Sequence, residues 1–380
     1  MRASPGTTLV RLWLGVLLAL CLAGASEEAR GQGDHAAAAD GDRLLTRLEG
    51  LTDHVYGLVF SRDGKRVAAG DTDGFAAVWE FPEGKLIRRF RTSLPEDEDE
   101  HVAIYHAMTF NRDGSRLFAG DRLGRIHIWD VAGEEEPKVI RAHGQAVNGT
   151  RIWSVNGMAL SPDGERLATC GSDGEVRLWE LPGGELAATL LSHRWAVERV
   201  AFSPDGRSLI VADVRGRLQE VAVDGGKVLA RRSPSKERSS IGGLAVSKDG
   251  QQVVSNEYLG RIRVFERPGL REVRRFGPPE AGEGGGVYRG NDLAVHPDGR
   301  LLAAAYRHSD ADHGLVVWWD LASGKELRRE EIFFAVADNV RFSPDGRYLV
   351  AAGGAEWLAV FETEQVRAKK ASSDRPRPER

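Results

Sequence analysis

The sequence predicts an all-β fold assembled from seven repeated four-stranded antiparallel units, and three observations predict it. First, an Asp-Gly turn between two short apolar strands recurs seven times, at 61–64, 111–114, 161–164, 203–206, 247–250, 296–299 and 343–346. Successive turns are 50, 50, 42, 44, 49 and 47 residues apart, a period that marks a repeat architecture. Second, six of the units continue into a strand that ends in an aromatic residue and an acid: AVWE (77–80), HIWD (127–130), RLWE (177–180), RVFE (263–266), VWWD (317–320) and AVFE (359–362). Third, glycine supplies 45 of 380 residues, about 12% against a usual ~7%, as a chain of many tight turns requires.

Each unit reads in the same order. A first apolar strand, such as Val200-Ala201-Phe202, runs into the Asp-Gly turn, where glycine accepts a positive φ without steric cost. A second strand follows, such as Arg66-Val67-Ala68-Ala69 or Tyr348-Leu349-Val350-Ala351. The third alternates apolar and other residues (Ile126-His127-Ile128, Ile262-Arg263-Val264), the period of a strand packed on one face. The fourth carries charge: LIRRF (86–90), VRRF (273–276) and ELRRE (326–330).

This pattern over about residues 43–362 resembles the WD-repeat β-propeller family. The resemblance implies a seven-bladed β-propeller of four-stranded antiparallel blades stacked radially around a channel. Leu44-Leu45-Thr46-Arg47-Leu48 reads as a fourth strand without its own blade, and none follows the seventh repeat. The family's solution is an N-terminal strand that closes the last blade and covers an exposed edge. Paired arginines (Arg88-Arg89, Arg231-Arg232, Arg274-Arg275, Arg328-Arg329) fall on outermost strands of separate blades, where charge discourages pairing with other chains.

The family braces a blade with a histidine before the first strand, a Ser/Thr in the second, an aspartate in the second turn and the strand-three tryptophan. On spacing, only His101 and His193 match the histidine, nine residues before Phe110 and Phe202. Asp73 and Asp173 match the aspartate; Trp79, Trp129, Trp179 and Trp319 match the tryptophan. Thr169 suits the hydroxyl, but Arg151 stands nine residues before Leu160 in its blade. The expectation is that no blade holds all four, that apolar packing carries most blades, and that the fourth (Leu218-Gln219-Glu220-Val221) is weakest.

The N-terminus has Arg2 and Arg11, an apolar run from Leu12 to Ala25, and small residues Ala23-Gly24-Ala25, the pattern of a secretory signal cleaved after about Ala25. A retained anchor is the alternative, although the run is short against the ~20 residues of a spanning helix. The domain reading is signal 1–25, flexible polar leader 26–42, propeller 43–362 and disordered basic tail 363–380. Cleavage removes Arg2, Arg11 and Cys21, taking the net charge from −4 to −6 and leaving Cys170 without an intramolecular disulfide partner. Cys170 reads as a buried small hydrophobe. The expected location is outside the cytoplasm: periplasmic, extracellular or envelope-associated.

The Asp-Gly turns form the uniform end of the ring, and length variation falls at the opposite end. There lie the acidic link 95–101, the links 142–153 and 277–290, and the loop 307–314. Variable loops on a rigid scaffold are where binding usually resides. Trp153, Trp195, Tyr105 and Tyr288 sit in or beside these links, as interface anchors or as packing at the entrance to strand one. Glu96, Asp97 and Glu98 can meet a basic partner or hold calcium, or stay solvated. His308, Asp310, Asp312 and His313 have the composition of a divalent-metal site, or of a polar hairpin tip.

No phosphate loop, nucleophile elbow, Cys-x-x-Cys-His or paired zinc-ligand spacing occurs, and no catalytic constellation stands out. The net charge of −4 offers nothing that attracts nucleic acid or an anionic membrane globally. The functional expectation is a monomeric, non-catalytic ring without cofactor that binds protein or peptide partners through the variable rim. It binds no nucleic acid and has no stable membrane insertion after cleavage. The alternatives are a small-ligand or metal-dependent enzyme using the central channel, and an envelope spacer.

Overall fold

The computed structural model describes residues 45–91, 107–144, 154–233, 239–277, 288–308, 314–332 and 336–364. Within them the chain forms seven four-stranded antiparallel sheets and no helix long enough to pack. Blade one is β2 (Val55–Phe60), β3 (Arg66–Asp71), β4 (Phe75–Glu80) and β5 (Leu86–Arg91), paired in that order. Blades two to six repeat the order over 107–141, 155–192, 197–232, 241–276 and 288–332. Blade seven pairs β26 (Ala337–Phe342), β27 (Tyr348–Gly353) and β28 (Trp357–Glu362). Its fourth strand is β1 (Thr46–Glu49), antiparallel to β28 with Thr46 opposite Val360 and Glu49 opposite Trp357. The ring therefore closes through its own N-terminal strand.

The Asp-Gly turns share one construction. The seven glycines have φ between 71° and 79°, in the left-handed region that a side chain resists. In blade one the Ser61 hydroxyl donates to Asp63 Oδ1 (2.7 Å) and accepts the Arg66 amide (3.0 Å), while the Lys65 amide donates to Asp63 Oδ1 (3.1 Å). The same serine and aspartate recur at Ser161, Ser203, Ser247 and Ser343. Blade two substitutes Asn111 and Ser115, and blade six His296.

The core lies between blades. Trp79 of blade one packs with Val350 and Leu358 of blade seven, and Phe110 and Trp129 of blade two pack with Ala68 and Val78 of blade one. Trp79 is fully buried, and its indole donates to the Glu49 carbonyl at the end of the closing strand (2.9 Å). At roughly 25 cal/mol per Å² over the ~200 Å² such a ring buries, the packing contributes about 5 kcal/mol against ~1 for the hydrogen bond. Burial, more than hydrogen bonding, holds the seam. Cys170 is buried and free, and burial pushes its thiol well up, as befits a small hydrophobe.

The bracing differs from what spacing predicts. Blade three is fully braced: His143 Nε2 meets Thr169 Oγ1 (2.9 Å), His143 Nδ1 meets Asp173 Oδ1 (2.9 Å), and the Trp179 indole donates to Thr169 Oγ1 (2.9 Å). The histidine stands at the start of a long inter-blade link, far upstream of the nine-residue position, so a fixed count misses it. Nor does apolar packing act alone in the blades that lack the tetrad. Each of blades one, two, four and five buries an acid at the end of its second strand: Asp71, Asp121, Asp213 and Glu257. Asp71, not Asp73, collects the turn amides of blade one, from Asp73 (3.1 Å) and Phe75 (2.8 Å); Asp73 is exposed and accepts the Thr52 hydroxyl.

Candidate binding face and channel

Antiparallel order places the start of every first strand, the second turns and the inter-blade links at one end of the ring. A cavity of about 310 Å³ runs along the ring axis and is lined by first strands from all seven blades. In six blades the ladder between strands one and two slips at the same point, leaving one residue unpaired: Tyr56, Asn156, Glu198, Gly242, Asn291 and Asp338. A bulge re-aims its side chain, and all six residues line the channel.

Most of the polar groups here tie neighbouring blades together. Asn156 Nδ2 donates to the Val197 carbonyl (2.9 Å), Arg199 Nε to Gly242 (2.7 Å), Asn291 Nδ2 to Ala337 (3.0 Å) and Asn339 Nδ2 to Tyr56 (2.8 Å). Arg341 pairs with Asp292, and His54 with Asp338 across the closing seam. Glu198 stands apart: among the described residues its carboxyl has no hydrogen bond or ion pair. Burial pushes its acid up, against the opposing charge of Arg199.

Around the mouth, aromatic rings meet guanidinium groups in two places and imidazoles in two others. Trp195, in the link before blade four, lies between Arg194 (5.1 Å to the ring centroid) and Arg215 of the second turn (4.3 Å). Arg289 donates to the Tyr258 hydroxyl (2.7 Å) and covers that ring. Tyr288 sits edge-on to His308 (centroids 4.9 Å). Tyr56 stacks on His54 (4.5 Å).

Of the residues singled out by sequence, the structure therefore places Trp195, Tyr288 and His308, all half-buried, at this end of the ring. Trp153, Tyr105, Glu96, Asp97, Glu98, Asp310 and Asp312 lie outside the described residues. His308 packs on Tyr288, and among the described residues no group of three His, Cys, Asp or Glu could hold a metal ion. Sequence reasoning missed the channel bulges, whose residue types share no pattern. It also missed the second-turn acids, although Ala69-Gly70-Asp71, Ala119-Gly120-Asp121 and Ala212-Asp213 repeat visibly. The arginine pairs stand on outer strands as expected, with Arg329 bonded to Glu326 (2.7 Å) on its own strand.

Comparison with known proteins agrees with this architecture. The family model described as WD domain, G-beta repeat matches residues 42–80 and 136–180. The crystal structure of the Myceliophteria thermophila Cps50 (Swd1) β-propeller domain superposes with a TM-score of 0.69 at 16% identity, covering 84% of this chain and 99% of that one. That likeness is one of fold. No curated protein matches the chain. The chain thus resembles WD-repeat β-propellers in two of its repeats and in its whole ring.

Proposed function

We propose that the protein is a non-catalytic scaffold acting outside the cytoplasm, which binds protein or peptide partners through the face made by inter-blade links and second turns. WD-repeat propellers are typically protein-interaction scaffolds, but a fold does not fix a function. The observation that carries the reading is the contrast between the two ends of the ring. One end repeats a single turn seven times; the other gathers Trp195, Tyr258, Tyr288 and guanidiniums that have no carboxylate partner among the described residues. Export rests on the signal pattern in residues 1–25.

A second reading, a small ligand in the channel, is favoured by the unpartnered Glu198 carboxyl within a 310 Å³ cavity. The experiment that separates them is affinity purification of residues 26–380 from the cell envelope, beside a ring with 95–101, 277–290 and 307–314 shortened. A partner retained only by the intact ring supports the scaffold. Empty captures from two folded rings overturn it in favour of the channel ligand.

A further inference from the structure

Blades four to six present the binding face differently from blades seven and one, and the difference lies in charge. Arg194, Arg215, Arg289 and Arg307 all stand at the link and second-turn end. Among the described residues none of the four has a carboxylate partner: Arg194 and Arg215 flank Trp195, and Arg289 reaches only the Tyr258 hydroxyl. Among the described residues the second-turn acids of blades four and five are turned inward, while Glu331 at the end of blade six's fourth strand is exposed. Asp213 is buried, with both the Arg215 and Arg217 amides donating to it at 2.9 Å, and Glu257 is buried against Arg263. Glu198 faces the channel.

At the opposite side of the mouth Arg89 and Arg91 also flank a ring, that of Phe75, but there acids are exposed beside them. Asp53, Asp73 and Glu356 are exposed at the corresponding turns, with Thr52 and Thr72 bonded to the two aspartates. Leu259, at the tip of the fifth blade's second turn, adds an apolar contact, being 40% exposed beside Tyr258. The other exposed large apolar side chains among the described residues lie at or beside the outer strands.

We infer that the arc of blades four to six docks an acidic segment of a protein partner, with carboxylates on Arg194, Arg215, Arg289 and Arg307 and an apolar side chain against Leu259. This rests on the scaffold reading and names the partner's chemistry. Guanidinium forks suit carboxylates, and Trp and Tyr give rigid contact area at low entropic cost. A protein carrying a net charge of −4 repels an extended polyanion, so a short acidic segment fits the arc better than nucleic acid does.

The test is fluorescence anisotropy of residues 26–380 with a labelled Asp/Glu-rich peptide containing one leucine, its Asn/Gln twin, and a single-stranded oligonucleotide. The acidic peptide should bind, weaken with added salt, and outcompete the twin. Charge reversal in Arg194→Glu/Arg215→Glu or Arg289→Glu/Arg307→Glu should weaken it about tenfold or more, as loss of interfacial charge pairs does. Asp53→Lys/Asp73→Lys on the far side should leave it within about twofold or tighten it. Circular dichroism and melting curves matching the parent exclude misfolding of the variants.

Equal binding of acidic peptide and twin, insensitivity to the arginine reversals, or tighter binding of the oligonucleotide would overturn the inference. If the acidic peptide fails while the intact ring still captures an envelope partner that the shortened ring loses, the acidic identity falls and the scaffold reading stands. Failure of both captures removes both.

Discussion

Blades one and two hold the same carboxylate in the same backbone cage, and the two titrate in opposite directions. Asp71 accepts amides from Asp73 (3.1 Å) and Phe75 (2.8 Å); Asp121 accepts those of Leu123 (2.9 Å) and Arg125 (2.8 Å). The second oxygen makes the difference. That of Asp121 meets Arg125 Nε (2.6 Å) and His127 Nε2 (2.8 Å). Blade one has Phe75 and Ala77 at those positions, so Asp71 receives only Thr52. Burial raises Asp71 above the ordinary carboxylate range, and nearby Asp73 adds to it. Burial also raises Asp121, but His127 and Arg125 outweigh it and hold the acid low. One turn geometry thus serves either as a polar lid or as a buried ion cluster, depending on two side chains on strand three.

The largest break in this comparison is Asp121→Asn. The amide NH₂ would face a guanidinium and an imidazole in a fully buried site, and breaking such a cluster costs about 3 kcal/mol or more. Urea midpoints near neutral pH read it directly. Because the folded acid is held low, the wild-type advantage is complete above the unfolded value of about 3.9 and fades as pH falls through the folded one. The Asp121→Asn deficit should therefore shrink towards acid. Two matched denaturation curves with an undiminished deficit at acid pH would discard the ion-cluster account.

His143→Ala in blade three is the next effect, a loss of about 2 kcal/mol, since it strips Thr169 and Asp173 of a shared buried partner. His193→Ala in blade four, at the position that a nine-residue spacing favours, should cost under about 1 kcal/mol. His193 is only half-buried, and no hydroxyl or tryptophan completes its blade. Equal losses in the two thermal melts would return the brace to the spacing rule.

Asp71→Asn supplies the counterpart to Asp121. Here the amide opposes only the Thr52 backbone N–H and hydroxyl at an exposed position, where the hydroxyl can turn to water, so the loss is about 1.5 kcal/mol at most. The pH trend should invert. A raised folded acid contributes stability below the unfolded value of about 3.9 and loses it as pH rises through the folded one. The deficit of Asp71→Asn should accordingly shrink from acid towards neutral pH. Parallel trends for the two Asn variants would show that the strand-three neighbours do not decide the titration.

These contrasts mark how far the sequence carries. The blade count, strand order and closing strand were legible because an Asp-Gly turn and an aromatic-acid end each report a local backbone requirement. The brace of blade three was not, because His143 reaches Thr169 and Asp173 through a link whose length the repeat does not fix. The channel was illegible for another reason. A bulge is a property of paired strands, and the residues it exposes, from Tyr56 to Asp338, follow no single residue type. The basic arc needed burial to be seen, since Asp213 and Glu257 neutralise it in a count of charges but are turned inward.

The uniform end of the ring offers the smallest and most general effect. In the fourth blade's Asp-Gly turn, Ser203 donates to Asp205 Oδ1 (2.6 Å) and accepts the Ser208 amide (3.0 Å). Ser203→Ala removes both bonds at a buried position and should cost about 1 kcal/mol, with the Ser208 amide left unpaired. The hydroxyl is the main cause that holds Asp205 below the usual range. Its contribution is present above the unfolded value near 3.9 and fades as pH falls through the folded one, so the Ser203→Ala deficit should diminish in acid. The same substitution at Ser61, Ser161, Ser247 and Ser343 should give the same cost within a few tenths of a kcal/mol, because the five turns repeat one geometry. A wide spread among those five denaturation midpoints would mean that neighbouring blades, rather than the local turn, set its strength. The identical end of the ring would then be as individual as the braced one.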